Sequence, residues 1–356
     1  MPYDIQTNAL LQYVLIALGY LGILLFPANK RDLYAFRLVA VFCMMLGLRD
    51  IDQLSVWADP VLYARVLTID IPGKDFLTLG GADFVLLFLV NSITHTIFNL
   101  KGAFFALHLL YLPPLYLLYR LTRRIEGTFF LLTGWLLFVN SGLLLIANFF
   151  RQGQGALYFL VLIMAFSLPV GARWGRRGGA LALPLLHLSV APLVVGLFFC
   201  QRRYFYYLFG IFFFLICLAA YVSLTDYDIY GAYIEGSGGY YTMDLWNKVL
   251  LTYAIIAVGL YLNGWSKAII IDDARNIQRT ALGFLLPTAV LLIFANTAPQ
   301  IGTRFIYYSH AIVFLYLTSA IASRKSIWLL GASAVAFSLF GAVTWTYPTV
   351  AVLLQW

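Results

Sequence analysis

Apolar runs of about 17 to 22 residues recur along this chain, separated by short polar stretches that hold most of its charge. Runs of that length match the thickness of a bilayer's hydrocarbon core when wound as helix. The pattern predicts spans at about 9–27, 34–48, 103–119, 128–147, 155–171, 204–222, 249–265, 281–298, 305–321 and 327–345. Two further apolar segments, 83–99 and 179–200, carry too many polar residues or prolines to read as plain spans. The expected class is all-α: a polytopic integral membrane protein of about 10–12 transmembrane helices, forming one transmembrane domain over residues 1–356. The first run lacks a basic start and a small-residue cleavage site, and reads as a retained helix.

The polar stretches orient the spans. Basic connections fall at Lys30-Arg31, Arg120 to Arg124, Arg173 to Arg177, Arg202-Arg203, Lys267 to Arg279 and Arg324-Lys325. Placed inside, they put the N-terminus and the acid-bearing loops 49–82 and 223–247 outside. Only one crossing then fits between loop 49–82 and Arg120. Segment 83–99, with Asp83, Asn91, Thr94, His95 and Asn99, is therefore expected as an amphipathic helix on the outer surface or a re-entrant element. Segment 179–200 holds Pro184 and Pro192 on either side of His187. Proline removes backbone hydrogen bonds, so a broken helix, or two short ones, is expected around His187. Broken backbone at membrane depth survives only against protein or a water-filled cavity.

Composition narrows the class. The chain is 62% hydrophobic and 11% charged, against roughly 25% charged for a soluble domain. The net charge of +8 is accounted for by the basic connections and does not indicate nucleic-acid binding. Cys43, Cys200 and Cys217 sit inside apolar runs without metal or disulfide spacing and read as packing. No nucleotide-loop, zinc or nucleophile-elbow motif is present, so no metal and no cofactor is expected.

Candidate chemistry gathers at the span edges. Arg49, Arg151 and Arg304 each flank an apolar run, within GLRDIDQ, NFFRQGQG and IGTRFIYY. A guanidinium keeps its charge and is costly near hydrocarbon, so such residues often hold an anion. Arg151, followed by Gln152 and the small Gly153, Gly155 and Ala156, sits where a helix N-terminus adds positive potential. Arg304 follows a Pro-Gln-Ile-Gly turn and precedes Tyr307. The alternative for each is a snorkelling contact with lipid headgroups. Arg49 also has acids beside it, and an ion pair with Asp50 or Asp52 is its plain reading. His187, with Ser189 two residues on, is either a hydrogen-bonded structural residue or a general base. His108, mid-span before Pro113-Pro114, reads as packing or a helix contact. Asp59, before Pro60, is either a helix start or a base for a sugar hydroxyl.

These residues resemble the pattern of the EpsG family, the Wzy-like exopolysaccharide polymerases of bacterial membranes. The resemblance rests on Arg49, Asp59 and Tyr63, then Arg151-Gln152 with Ala156, then His187-Leu188-Ser189 with Ala191, then Arg304 with Tyr307. It spans roughly residues 45 to 310. It departs from the family in the first loop, where Asp52 and Asp59 compete for one role, and at Gly153. The layout also looks like that of GT-C glycosyltransferases.

The family resemblance implies joining of oligosaccharide repeat units carried on undecaprenyl diphosphate, at the outer face of the bacterial inner membrane. Arg151, Arg304 and Arg49 would hold the diphosphate. His187 with Asp52 or Asp59 would activate the acceptor, and Gln152, Tyr63, Tyr307 and Ser189 would line the site. Implied partners are the lipid-linked oligosaccharide, membrane lipids, a chain-length regulator and a repeat-unit flippase. A ligase or single-transfer glycosyltransferase would share these residues. A flippase would need paired broken helices in two repeats, and a membrane O-acyltransferase would take its donor from the inner side.

Overall fold

The computed structural model describes residues 2–49, 59–68, 91, 93–148, 150–168, 173–185, 190–199, 272–288 and 299–346. Among them the chain is helical and carries no strand. The helices are α1 (Pro2–Gly22), α2 (Ala28–Gly47), α3 (Asp59–Thr68), α4 (Leu100–Leu109), α5 (Leu112–Thr122), α6 (Thr128–Phe138), α7 (Asn140–Ala147), α8 (Phe150–Ser167), α9 (Arg173–Ala182), α10 (Ala191–Phe199), α11 (Asp272–Thr288), α12 (Pro299–Ala322) and α13 (Ile327–Thr346). Among the described residues, two stretches, Leu100–Thr122 and Ile327–Thr346, are long and apolar enough to cross a membrane. The bent pair α6–α7 makes a third if it counts as one span. The predicted spans 204–222 and 249–265 and loop 223–247 lie outside the described residues.

Helix α6 is the axis of the bundle. Every residue from Thr128 to Phe138 is buried, as expected for a helix apolar on all sides. It packs against α2, α12 and α13, while α8 packs against α5, α11 and α12. Trp135 stacks on Phe314 of α12 at 5.5 Å between ring centres, and Tyr20 of α1 stacks on Phe130 at 4.5 Å. Asp32 sets the start of α6. Its carboxylate accepts from the amides of Gly127 (3.0 Å) and Phe130 (2.9 Å). Gly127 takes a φ of +91°, which a side chain would oppose.

The expected span 128–147 is not one straight helix. It bends by 79° between α6 and α7, because Val139 is extended at ψ 129°. A continuous helix would fill the Leu137 carbonyl from within; here the Trp345 indole N–H donates to it at 2.8 Å. Ser141 Oγ accepts from the Trp135 indole at 3.2 Å. Gly142 has no Cβ to collide with the Trp135 carbonyl at the corner.

Two connections differ from the sequence reading. The stretch from Asp272 to Arg279, expected as a basic loop, is the first half of α11. Residues 299–302, expected as a turn, are already helical, because Pro299 occupies the first helical position, where its fixed φ suits a helix start. The break expected around His187 in segment 179–200 falls at residues 186–189, outside the described residues. α9 runs into a 3-10 turn at Leu183–Leu185, and α10 begins at Ala191. At the end of segment 83–99, Ile93 and Ile97 are exposed while Asn91 is buried. Asn91 Nδ2 and Thr94 Oγ1 donate to the carbonyls of Val66 (2.6 Å) and Leu67 (3.1 Å), filling the end of α3.

The bundle therefore has two distinct ends. Asp32, Gly127 and Ala322 meet at one, since Gly127 abuts Ala322. Arg49 lies about 25 Å further along α2, and Arg304 about 27 Å back along α12, at 1.5 Å per residue. Both arginines thus belong to the opposite end.

Candidate functional site

Arg49 sits two residues beyond the end of α2 and is only 3% exposed. Its Nε donates to the Leu46 carbonyl at 2.8 Å, and one terminal nitrogen donates to the Ala147 carbonyl at 3.1 Å. The same nitrogen lies 3.2 Å from His108 Nε2. His108 Nδ1 lies 2.9 Å from the Phe104 carbonyl. A carbonyl accepts only, so Nδ1 carries the proton and Nε2 presents its lone pair to the guanidinium. The imidazole is neutral in this arrangement. The guanidinium also stands 5.6 Å from the centre of the Phe104 ring.

Gly47 makes this approach feasible. A Cβ there would lie 2.9 Å from the Phe105 ring and 3.2 Å from His108 Cβ. The Arg49–Ala147 bond ties the end of α2 to the end of α7, three residues before α8 begins. Arg49 thereby fastens the turn that carries Arg151.

Arg151 is the second residue of α8 and is partly exposed. Its Nε donates to the Tyr63 hydroxyl at 2.6 Å, and its guanidinium lies 4.9 Å from the centre of the same ring. Tyr63 stands one turn into α3 and is 5% exposed. The α7–α8 turn is clamped from the other side. Tyr111 donates to the carbonyls of Leu145 (2.7 Å) and Phe150 (3.3 Å). Phe150 bridges Tyr63 and Tyr111, with ring centres 5.9 and 5.8 Å away. Gly153 allows α8 to lie against α7, since a Cβ there would strike the Leu145 carbonyl. The backbone approach expected from the small residues after Arg151 is thus realised at Gly153.

The structure brings together Arg49, Tyr63, Arg151 and Gln152, the last buried on α8. The backbone places Asp59 at the first position of α3, one turn before Tyr63, and Arg304 in the second turn of α12. Tyr307 is buried on α12. Asp50, Asp52, His187 and Ser189 lie outside the described residues. Sequence reading missed His108 and Tyr111. His108 reads from the sequence as packing or a helix contact, with no role at the site, because its partner Arg49 is 59 positions away. The available signal was the arginine itself, since a buried guanidinium needs acceptors and the chain has four histidines.

Among the described residues, no group of three or more His, Cys, Asp or Glu could hold a metal ion. Of the assembled guanidiniums, that of Arg49 is engaged with two carbonyls and an imidazole, while that of Arg151 is partly exposed at the start of α8. A cation at a helix N-terminus suits an oxyanion. Comparison with protein families, characterised proteins and solved structures finds no match to this chain.

Proposed function

We propose that this chain is a membrane glycosyltransferase of the polysaccharide-polymerase kind, a multi-pass protein of about 10–12 spans in the bacterial inner membrane. It joins oligosaccharide repeat units carried on undecaprenyl diphosphate at the outer face. The observation that carries this reading is the placement of Arg151 at the start of α8, held by Tyr63 and braced by Arg49 through Ala147. A partly exposed guanidinium beside helix-start amides is suited to a diphosphate leaving group.

In this reading the acceptor hydroxyl attacks the anomeric carbon of the donor chain, and the bond to the diphosphate oxygen breaks. Arg151 and Arg304 stabilise the charge that develops on the diphosphate. His187 with Asp52 or Asp59 takes the hydroxyl proton. Arg49 positions the α8 turn, while Gln152, Tyr63, Tyr307 and Ser189 line the site.

The test is polymer length in cells expressing Arg151→Ala or Arg304→Ala at normal membrane levels. Each variant is expected to lose long polymer. Normal polymer in either one removes that arginine from the mechanism. A single added repeat unit in the wild type, without further growth, would instead identify a ligase or single-transfer enzyme.

A further inference from the structure

At the bundle end opposite Arg49, a cavity of about 350 Å³ opens between the α5–α6 turn, the start of α2 and the α12–α13 turn. Arg31, Arg123, Arg124 and Lys325 line it, with Glu126 as the acid among its lining residues. Arg124 is paired at 3.3 Å with Asp273 of α11, which leaves Arg31, Arg123 and Lys325 against one carboxylate. The Arg31 Nε is buried without a hydrogen-bond partner among the described residues. Lys325 adopts a φ of +52°, an uncommon conformation for a side-chain-bearing residue.

A second, apolar cleft of about 520 Å³ shares a lining residue with this cavity. Ile327 lines both, and Leu24 in the cleft receives an Arg31 N–H on its carbonyl at 3.3 Å. The cleft follows α13 from Ile327 to Val335, about 12 Å of helix. Trp328, 86% exposed, stands at its rim. A concentrated positive cavity that shares Ile327 with an apolar cleft, edged by an indole, matches a phosphate joined to a hydrocarbon chain.

We propose that this end of the bundle is a binding site for an anionic glycerophospholipid. The phosphate sits among Arg31, Arg123 and Lys325, and an acyl chain lies on Leu24, Ile327 and Val335. The site is independent of the glycosyl-transfer reading. It lies on the opposite end and uses none of the same residues.

The experiment uses the full chain in neutral detergent and reads quenching of Trp328 by lipids brominated on the acyl chain, as wild type minus Trp328→Phe. Brominated phosphatidylglycerol should quench at concentrations about tenfold or more below those needed for brominated phosphatidylcholine, given the attraction of each cation for an anionic headgroup. Arg123→Gln/Lys325→Gln should erase that preference. Unlabelled phosphatidylglycerol should restore wild-type fluorescence, a readout that stands even where the double variant does not fold. Equal quenching by the two lipids overturns the proposal. So does restoration by inorganic phosphate at concentrations matching the lipid, which would mark a free-anion site.

Discussion

Arg49 illustrates how a residue at an unfavourable depth becomes structural. Its guanidinium is buried, and it meets two backbone carbonyls and a neutral imidazole from three separate stretches of chain. Replacing it with methionine keeps the bulk but removes the donors of Ala147 and His108. Each buried acceptor left unfilled costs about 1–3 kcal/mol, so Arg49→Met should lower the unfolding temperature of the purified protein clearly. An unchanged melting curve would show that these contacts contribute nothing to stability. Arg151 differs in being partly exposed, so Arg151→Ala should act mainly on polymer formation. The arginines were legible in the sequence as conspicuous residues. Their division into a brace and a partly exposed donor was not, because burial depends on which helices pack around each.

At the scale of elements, the corner between α6 and α7 is held by one donor from the far end of the chain. Trp345 occupies the carbonyl that the break exposes. Trp345→Phe retains the ring packing and loses that bond, so it should destabilise by about 1–3 kcal/mol. A change within error would mean that the corner is set by Val139 to Gly142 alone. The other end of α6 is pH-sensitive. Burial pushes the Asp32 carboxyl up to about 6, with Glu126 adding to the rise and the amides of Phe130 and Gly127 opposing it. The folded state therefore holds this proton more tightly than the unfolded chain, whose carboxyl titrates near pH ~4. The stabilisation is complete below about pH 4 and is lost as pH rises through about 6. Two pH units correspond to about 3 kcal/mol. Thermal unfolding of wild type between pH 4 and 7 should show this decline, and Asp32→Asn should flatten it. A flat wild-type profile would reject the assignment. Neither device is visible locally: an aspartate early in α2 and a tryptophan late in α13 acquire meaning only against α6.

For the whole molecule, charge and topology agree along the described helices. The turn at 120–127 and the one at 323–326 meet at one end, and Arg49 and Arg304 belong to the other. With Cys43, Cys200 and Cys217 replaced by alanine, Arg304→Cys should react with a membrane-impermeant maleimide on intact cells. Lys325→Cys should react only after permeabilisation. Labelling of both from one side would overturn the orientation behind the proposed outer-face site. The basic turns announced their shared end through the positive-inside pattern. The cavity and cleft between them were hidden, because three turns and two helices build them together.

Hydrophobic run length by itself determined that this chain is a helical protein with segments able to cross a membrane, because a helix must satisfy its own backbone in lipid. Pro184 likewise falls in the 3-10 turn that ends α9, since a missing N–H acts locally. Only the tertiary structure decided the corner at Val139, the meeting of Arg49 with His108, and the seating of Arg151 on Tyr63. Those outcomes depend on carbonyls and rings supplied from 59 to 208 positions away, and no local pattern records such partners.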